Sequence, residues 1–416
     1  MPKKKKSSKS KSSELLDELV DMKKKTRTKK GRTKLFIQLI VYSIIWVGLI
    51  VSLFYQNVIN SKINKTDFHF DNAIVSSDYK VHFIDVGQGD CALVQLPDGK
   101  NLMIDTGESS SKNNLVRYLD SLEIKQIDYL ILTHPDSDHI GNAVTIFEMY
   151  DIVNVYLPPI YSKYDVDNGL VDSSKNYVVK NTASWSNVVK AVYNEKETTL
   201  KDMIYNETDD KIVGVDDESL VTPNVIYEIY IYPPALSGLG SSDWNAYSPF
   251  VLVKIGETKF MFTGDADKSD EKDFLDSHSS EVASNFFDCS VMKVGHHGAN
   301  TSTGEALLSA VKPEYAVISC GKGNKYNHPR PETLEMIENN SDAEIMRTDL
   351  IGSIVFGTGG TEIKTQSNYN HVNDIYYEWK YFVICGGVVI AIGFVLVIRA
   401  GKKAKEKENR KKKVSL

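Results

Sequence analysis

The chain has 416 residues, 42% of them hydrophobic and 25% charged, a composition that excludes a chain disordered throughout. Its four cysteines form no CxxC pair and no zinc-finger spacing, so they do not indicate a disulfide framework. The net charge of −6 is unevenly distributed, because residues 1–34 carry +10 and residues 399–416 carry +7, which leaves −23 between them.

Two hydrophobic runs flank the acidic middle. Residues 35–55 carry no charged side chain and are long enough, as a helix, to cross a hydrocarbon core of ~30 Å. Residues 381–398 follow three aromatic side chains and precede a basic tail, as is typical of a membrane interface, although a buried core helix is the alternative. We therefore predict two transmembrane helices in a lipid bilayer.

The basic ends predict the topology of the chain. Lysine and arginine accumulate on the cytoplasmic side of membrane spans, so residues 1–34 and 399–416 are predicted to be cytoplasmic tails. Their lysines suit contact with anionic lipids better than contact with nucleic acid. Two crossings place the residues between the spans on the opposite side, which predicts a multi-pass protein of the cell membrane with an extracytoplasmic catalytic domain.

Between the spans, short β-like runs alternate with helical segments. In chain order, the pattern predicts strands at 81–85, 91–96 and 102–104, a turn at 97–99, a helix at 113–122 and a strand at 129–132. Strands that alternate with helices are typical of a layered α/β fold.

Residues 161–242 break this rhythm because they are polar and acidic. We interpret them as an acidic insertion that covers part of the site or packs beside it. The rhythm of strands and helices resumes after Tyr247, so the catalytic domain is predicted to span 78–358. Residues 359–380 are predicted to be a linker to the second span.

The run His134-Pro135-Asp136-Ser137-Asp138-His139 follows an apolar strand and offers four potential metal ligands within six residues. A hydrolytic metal site needs several nitrogen and oxygen donors that converge on a cation. A tight turn after a rigid strand can make them converge, whereas a helix would point them around its axis. For this run alone, a solvated acidic loop is the alternative.

Further ligand candidates follow downstream, beside glycines that let the backbone approach a cation closely. They are Asp265 after a predicted strand at 259–263, His296 and His297 after a strand at 291–294, and His328 before a helix at 331–338. Their recurrence at strand ends favours a shared metal site over coincidence.

Six motifs occur in a fixed order. They are FIDVGQGD at 83–90, IDTG at 104–107, HPDSDH at 134–139, TGD at 263–265, GHHG at 295–298 and NHP at 327–329. Together they resemble the metallo-β-lactamase domain of ComEC-type DNA-uptake (competence) proteins, here without the channel part. The resemblance implies an αββα sandwich of the α/β class over roughly 78–358, and we expect one transmembrane helix on each side of it.

The resemblance also implies a role for each matched residue. His134 and Asp136 would bind one metal, Asp138, His139 and His297 (or alternatively His296) the other, and Asp265 would lie between the two. Asp105 would support a ligand. Asp138, His328 and Ser302 would act in catalysis, with His328 as a further ligand or a proton donor.

This chain departs from the family pattern at three places. Asp136 stands where the general fold motif has its second histidine, no histidine occurs between His139 and His278, and Ala299 replaces the serine usual after the HHG run. A site rich in carboxylates favours harder cations such as manganese. The predicted cofactors are therefore two divalent metal ions, zinc or manganese.

The resemblance favours a phosphodiesterase or nuclease that acts on DNA. The acidic middle argues against a polyanionic substrate, but residues 291–330 carry a local charge of +3. One alternative is hydrolysis of a cell-envelope phosphodiester or ester of the teichoic-acid type. Another is a non-catalytic metal-binding interaction module.

Overall fold

The computed structural model describes residues 77–172, 178–195, 198–202, 210–215, 224–234 and 242–368, with a few isolated helical positions near both ends. The predicted spans at 35–55 and 381–398 and the basic tails otherwise lie outside these described residues. Within the described part of the chain, no helix is both long and apolar enough to cross a lipid bilayer. Residues 68–370 form one compact unit.

The described residues of this unit are mostly strands and short helices. The strands are β1 (Tyr79–Phe83), β2 (Ala92–Gln95), β3 (Asn101–Ile104), β4 (Gln126–Ile131), β5 (Asp151–Leu157), β6 (Ile160–Ser162), β7 (Val178–Lys180), β8 (Thr199–Asp202), β9 (Asp210–Val215), β10 (Val225–Tyr232), β11 (Phe250–Ile255), β12 (Thr258–Phe262), β13 (Val291–Lys293), β14 (Tyr315–Ile318), β15 (Glu344–Arg347), β16 (Ser353–Thr358) and β17 (Ile363–Asn368). The helices are α1 (Lys112–Ser121), α2 (Ser137–Ile140), α3 (Ala143–Met149), α4 (Lys163–Asp167), α5 (Ala183–Asn194), α6 (Lys268–Ser277), α7 (Ser279–Ala283), α8 (Glu305–Val311), α9 (Pro331–Asn340) and α10 (Thr348–Ile351).

Most of the described strands form two sheets. One has eight strands in the order β17-β16-β1-β2-β3-β4-β5-β8, and the other has seven in the order β15-β14-β13-β12-β11-β10-β9. The segments β3-β4-β5-β8 and β12-β13-β14-β15 are parallel, and the remaining pairs in both sheets are antiparallel.

The helices and the two sheets form a four-layer sandwich, and buried hydrophobic side chains fill the three spaces between the layers. Inward-facing residues of both sheets, such as Val251 and Phe260, pack against each other in the central layer. Their neighbours Leu252 and Met261 point the other way, toward α6, α8 and α9. A matching outer layer joins the eight-stranded sheet to α1, α3 and α5. This alternation follows from the two-residue period of a strand, and the αββα order predicted from the sequence is confirmed.

The predicted local elements lie close to the observed ones. The strands β2 and β3 pair as an antiparallel hairpin around the predicted turn at 97–99. The helix predicted at 113–122 corresponds to α1, the strand predicted at 129–132 to β4, and the helix predicted at 331–338 to α9. Pro331 begins α9, as expected of a residue that has no N–H to donate.

Two segments are more deeply built into the fold than their sequence suggests. In the predicted insertion 161–242, β8 extends one sheet beside β5, and β9 and β10 extend the other beside β11. Trp185 of α5 is fully buried in the outer core. In the predicted linker 359–380, β17 pairs with β16 along its whole length, so this sheet continues beyond residue 358. Of these strands, β8, β9 and β17 lie at sheet edges, where one side of a strand is solvated and its sequence can be polar.

The parallel strands position the ligand-bearing loops. β4 of one sheet runs into His134, and β12 and β13 of the other run into Asp265 and into His296 and His297. The carboxyl ends of neighbouring parallel strands meet at one edge of a sheet, where α/β folds bind ligands. The two sheets therefore bring these loops together at one edge of the sandwich.

Candidate metal centre

The imidazole of His139 is oriented by a buried carboxylate. Its Nδ1 lies 2.7 Å from Oδ2 of Asp105. The Thr133 hydroxyl donates to the same oxygen at 2.7 Å, and the Thr133 backbone N–H donates to Oδ1 of Asp105 at 2.8 Å. All three residues are almost completely buried. Because Nδ1 of His139 faces this carboxylate, its Nε2 faces the interior of the site. Asp105 therefore occupies the supporting position expected from the sequence.

His297 is oriented in the same way by the backbone. Its Nδ1 donates to the carbonyl oxygen of Ser319, 2.9 Å away at the end of β14. His296 and His297 both have positive φ, at 47° and 55°, a strained conformation for residues with a side chain. This turn directs Nε2 of His297 to within 3.3 Å of Nε2 of His139. This separation of the two Nε2 atoms is one that two ligands of a single ion can have.

The donor atoms on this Nε2 side are spaced like the ligands of one ion. Oδ2 of Asp265 is 3.2 Å from Nε2 of His139 and 3.4 Å from Nε2 of His297, and Oδ2 of Asp138 is 3.5 Å from Nε2 of His297. Four donors at ~2.1 Å from an ion in a tetrahedral arrangement are about 3.4 Å apart. We call His139, His297, Asp138 and Asp265 the inner group.

A second set of donors lies around the same oxygen of Asp265. Nε2 of His134 is 4.0 Å from Oδ2 of Asp265 and 3.9 Å from Oδ2 of Asp136, and Nε2 of His296 is 3.7 Å from the same Asp265 oxygen. Two ligands of one ion can be up to about 4.2 Å apart when they lie opposite each other. We call His134, Asp136, His296 and Asp265 the outer group; Asp265 is common to both groups.

The sequence left His296 and His297 as alternative ligands, and the structure separates them. His297 is buried and contacts Asp138 and His139, whereas His296 has a side chain that is 27% exposed and contacts Asp265 from the outer group. Each histidine thus has a distinct place beside Asp265.

Asp90 is a buried carboxylate of the site and was not among the predicted ligands. Ligand atoms of Asp90, His139, Asp265 and His297 all lie within 4.8 Å of one another. However, Asp90 faces Nδ1 of His297 at 3.1 Å and Nδ1 of His139 at 4.0 Å, which is the side away from the inner group. Its Oδ2 contacts the buried ammonium of Lys293 at 2.5 Å. We therefore assign Asp90 to the supporting residues. Its position at the end of the FIDVGQGD motif could have indicated from the sequence that it belongs to the site.

The cluster has the unpaired polar atoms and the electrostatic field that a cation site requires. Among the described residues, Oδ1 of Asp265 and Nε2 of His134 are buried without a hydrogen-bond partner. Burial alone would lower the pKa of His139, but the carboxylates of Asp265 and Asp105 raise it well above its usual value. Burial would raise the pKa of Asp265, but His297 and His139 hold it well below. The carboxylate of Asp265 therefore stays ionised, and the buried carboxylates and imidazoles of the cluster fit divalent metal ions.

Lys180 is a second residue that sequence reasoning missed. It comes from β7 in the predicted insertion, is almost buried, and its ammonium contacts Oδ1 of Asp136. The same ammonium lies 4.8 Å from the centre of the Trp244 ring. The insertion thus places a cation at the outer group, beside the carboxylate that replaces the family's second histidine.

The other two predicted catalytic residues lie outside the donor groups. The ring of His328 is 5.6 Å from that of His296 and 6.5 Å from that of His297, centre to centre. Burial, followed by the nearby His296, lowers the pKa of His328 to about 4, so the imidazole is neutral at neutral pH. Ser302 is buried, and within the described residues its hydroxyl has no hydrogen-bond partner and makes no contact with either donor group.

The comparison with protein families agrees with this geometry. Residues 84–200 and 247–322 match the model of the metallo-beta-lactamase superfamily. The chain contains a metallo-beta-lactamase domain. The unmatched stretch between the two segments includes β9 and β10.

Three curated proteins are similar to this chain across the metallo-beta-lactamase domain. ComE operon protein 3 of Bacillus subtilis is 27% identical over 300 residues, which cover 68% of this chain and 33% of that protein. Competence protein ComA of Neisseria gonorrhoeae is 26% identical over 71% of this chain and 34% of that protein. Recombination protein 2 of Haemophilus influenzae is 29% identical over 62% and 26%. The resemblance drawn from the motifs is confirmed, and the chain spans about a third or less of these relatives.

Proposed function

We propose that this domain is a metal-dependent phosphodiesterase that acts on DNA. The observation that carries the proposal is the inner group, in which four of the six donor separations lie between 3.2 and 3.5 Å, as expected of ligands around a single tetrahedral ion. A pair of divalent ions, zinc or manganese, would activate water and stabilise the charge that develops during phosphodiester cleavage.

The chain's own residues define the side from which a substrate would approach. The side chains of His139, His297 and Asp265 are at most 4% exposed, whereas those of Asp138 and Asp136 are 25% and 39% exposed. A scissile phosphate would thus reach the cluster from the side of the two aspartates. Asp138 lies on that side. Burial would raise the pKa of its carboxyl, but the hydrogen bond with His297 holds this pKa below its usual value, so this carboxylate is ionised where a cation or a substrate would arrive.

A DNA substrate is supported by the relatives and by local charge. Two of the three relatives are named a competence protein and a recombination protein, which connects them with DNA. Of the five cations at 291–330, Lys293 is buried against Asp90 and Lys312 pairs with Asp288. The other three, Lys322, Lys325 and Arg330, lie on the loop 321–330, which carries no acidic residue. Cations on such a loop suit a phosphate backbone.

The charge of −23 between the basic ends supports a second candidate, a smaller phosphodiester or ester of the cell envelope. A short substrate would meet less long-range repulsion than a polyanion. Competition by oligonucleotides and by glycerol phosphodiesters in the same assay separates the two candidates.

We further propose, from the sequence of the two hydrophobic runs and the basic ends, that the chain is anchored in the cell membrane with its catalytic domain outside. Protease treatment of intact cells, which would digest an extracytoplasmic domain and spare a cytoplasmic one, tests this placement.

The activity is tested with the purified full-length chain in detergent and bis-p-nitrophenyl phosphate, with manganese or zinc. We expect hydrolysis that EDTA removes and that an Asp138→Ala/His139→Ala double variant lacks. Asp128→Asn is the matched control, because Asp128 is also buried but accepts its hydrogen bonds from Asn101 and Gln126, outside the site. Equal rates for the wild type and the double variant would contradict the proposal.

A further inference from the structure

The loop 321–330 beside the metal cluster presents an exposed aromatic ring. Tyr326 is 43% exposed. Its ring is 5.6 Å from that of His328 and inclined to it by only 26°, so the two rings are stacked. His328 in turn neighbours His297 of the inner group. The exposed ring is therefore the outer end of a short row of rings that leads into the metal site.

Hydrogen bonds that do not involve the side chain of Tyr326 hold the loop. Asn324 is the hub: its Oδ1 accepts the backbone N–H groups of Tyr326 and His328 at 3.1 and 3.0 Å, and its Nδ2 donates to the carbonyl oxygens of Gly321 and His328. The backbone N–H of Arg330 donates to the carbonyl of Gly298, next to the metal-site histidines. Because the backbone and Asn324 fix the loop, the ring of Tyr326 is available for another role.

Three cations lie on the loop that carries this ring. The ammonium of Lys325 is 4.8 Å from the centre of the Tyr326 ring, and Lys322 and Arg330 lie on the same loop. The hydroxyl of Tyr326, and more weakly the carboxylates of Glu108 and Asp138, raise the pKa of Lys325. Lys325 is thus within electrostatic reach of both the ring and the inner group.

We propose that Tyr326 is a stacking platform for a nucleobase, and that the DNA substrate of this site is single-stranded. This inference rests on the proposed phosphodiesterase function. A base placed on the exposed face of Tyr326 extends the row of rings, while Lys325 contacts the adjoining phosphate. Aromatic rings combined with cations are the means by which proteins bind single strands without reading their sequence. A base inside a duplex is already stacked on its neighbours, so a duplex leaves this platform unused.

The proposal is tested by binding rather than by turnover. Fluorescence anisotropy of labelled oligonucleotides is measured with the full-length chain in calcium, so that a failure of the hydrolytic chemistry does not affect the result. Three probes are compared: a single strand, an abasic single strand of the same length, and a duplex. We expect the wild type to bind the single strand most tightly, and Tyr326→Ala to weaken that binding about 5- to 150-fold.

The controls separate stacking from a general loss of structure. Tyr326→Trp should retain tight binding, because it keeps a ring. Tyr193→Ala removes another exposed tyrosine, which stacks on Tyr164 at the outer helix α5, and should leave binding unchanged. Binding of the abasic strand should be the same in the wild type and in Tyr326→Ala, since both retain the cations.

Two results would overturn the proposal. One is equal loss of affinity for normal and abasic strands in Tyr326→Ala, which would assign the effect to phosphate contacts. The other is a wild type that binds the duplex as tightly as the single strand. Failure of the proposed function is seen separately, as a wild type that does not hydrolyse bis-p-nitrophenyl phosphate.

Discussion

The support that Asp105 gives to His139 provides a direct test of the metal centre. Asp105→Asn preserves the shape of the side chain but removes its charge. The carboxylate accepts three hydrogen bonds, two from Thr133 and one from Nδ1 of His139. An amide has only one acceptor oxygen, so its NH₂ group would face a donor. The variant therefore either rotates the imidazole or shifts its proton to Nε2, the atom that faces the inner group.

The expected loss can be estimated from such supporting contacts. Replacing the carboxylate behind a metal-binding histidine typically weakens metal affinity about 10- to 100-fold, or ~1.4 to 2.7 kcal/mol. We expect this change in the manganese or zinc dissociation constant of Asp105→Asn, measured by competition with a chromogenic chelator. The stability of the metal-free variant is measured in parallel by urea unfolding.

Asp128→Asn is again the matched control, because it makes the same chemical change at another buried aspartate of the same sheet. It should alter stability without altering metal affinity. If Asp105→Asn binds metal as tightly as the wild type, His139 does not bind metal through Nε2, and the inner group is not a metal site.

Three further predictions concern stability. Lys293→Met leaves Asp90 buried without its ion pair and should lower the free energy of unfolding by about 3 to 5 kcal/mol. Adding Asp90→Asn should recover much of this loss, which urea unfolding measures. Gly264→Ala should lower the melting temperature, because Gly264 has φ of +51° and a new Cβ would lie 2.8 Å from Cβ of Ser248; an unchanged temperature would contradict the crowding. Burial raises the pKa of Glu271 to about 7 from a usual value of 4.5, although it accepts N–H groups of Thr303 and Gly304. The folded state then binds more protons between these values, so stability should fall by about 3 kcal/mol as pH rises from 4.5 to 7, and Glu271→Gln should lack this component of the fall.

The sequence by itself determined the local elements and the candidate ligands. The short apolar runs at 91–96 and 102–104, separated by turn residues at 97–99, predicted a hairpin, because strand and turn signals are local properties of the sequence. The ligands at 134–139 could be found because a short loop after a strand keeps them close whatever the rest of the fold does. The order of the motifs then indicated the αββα sandwich.

Only the tertiary structure decided which residues meet. Asp90 and Lys293 are 203 positions apart in the chain, and no local pattern reveals that a lysine neutralises that carboxylate. The same is true of Lys180, which reaches Asp136 from a stretch that looked like a surface insertion. The division of His296 and His297 between two donor groups depends on the positive φ of both residues. Contacts between distant strands arise from sheet packing, which a sequence pattern predicts as an architecture but not as a list of neighbours.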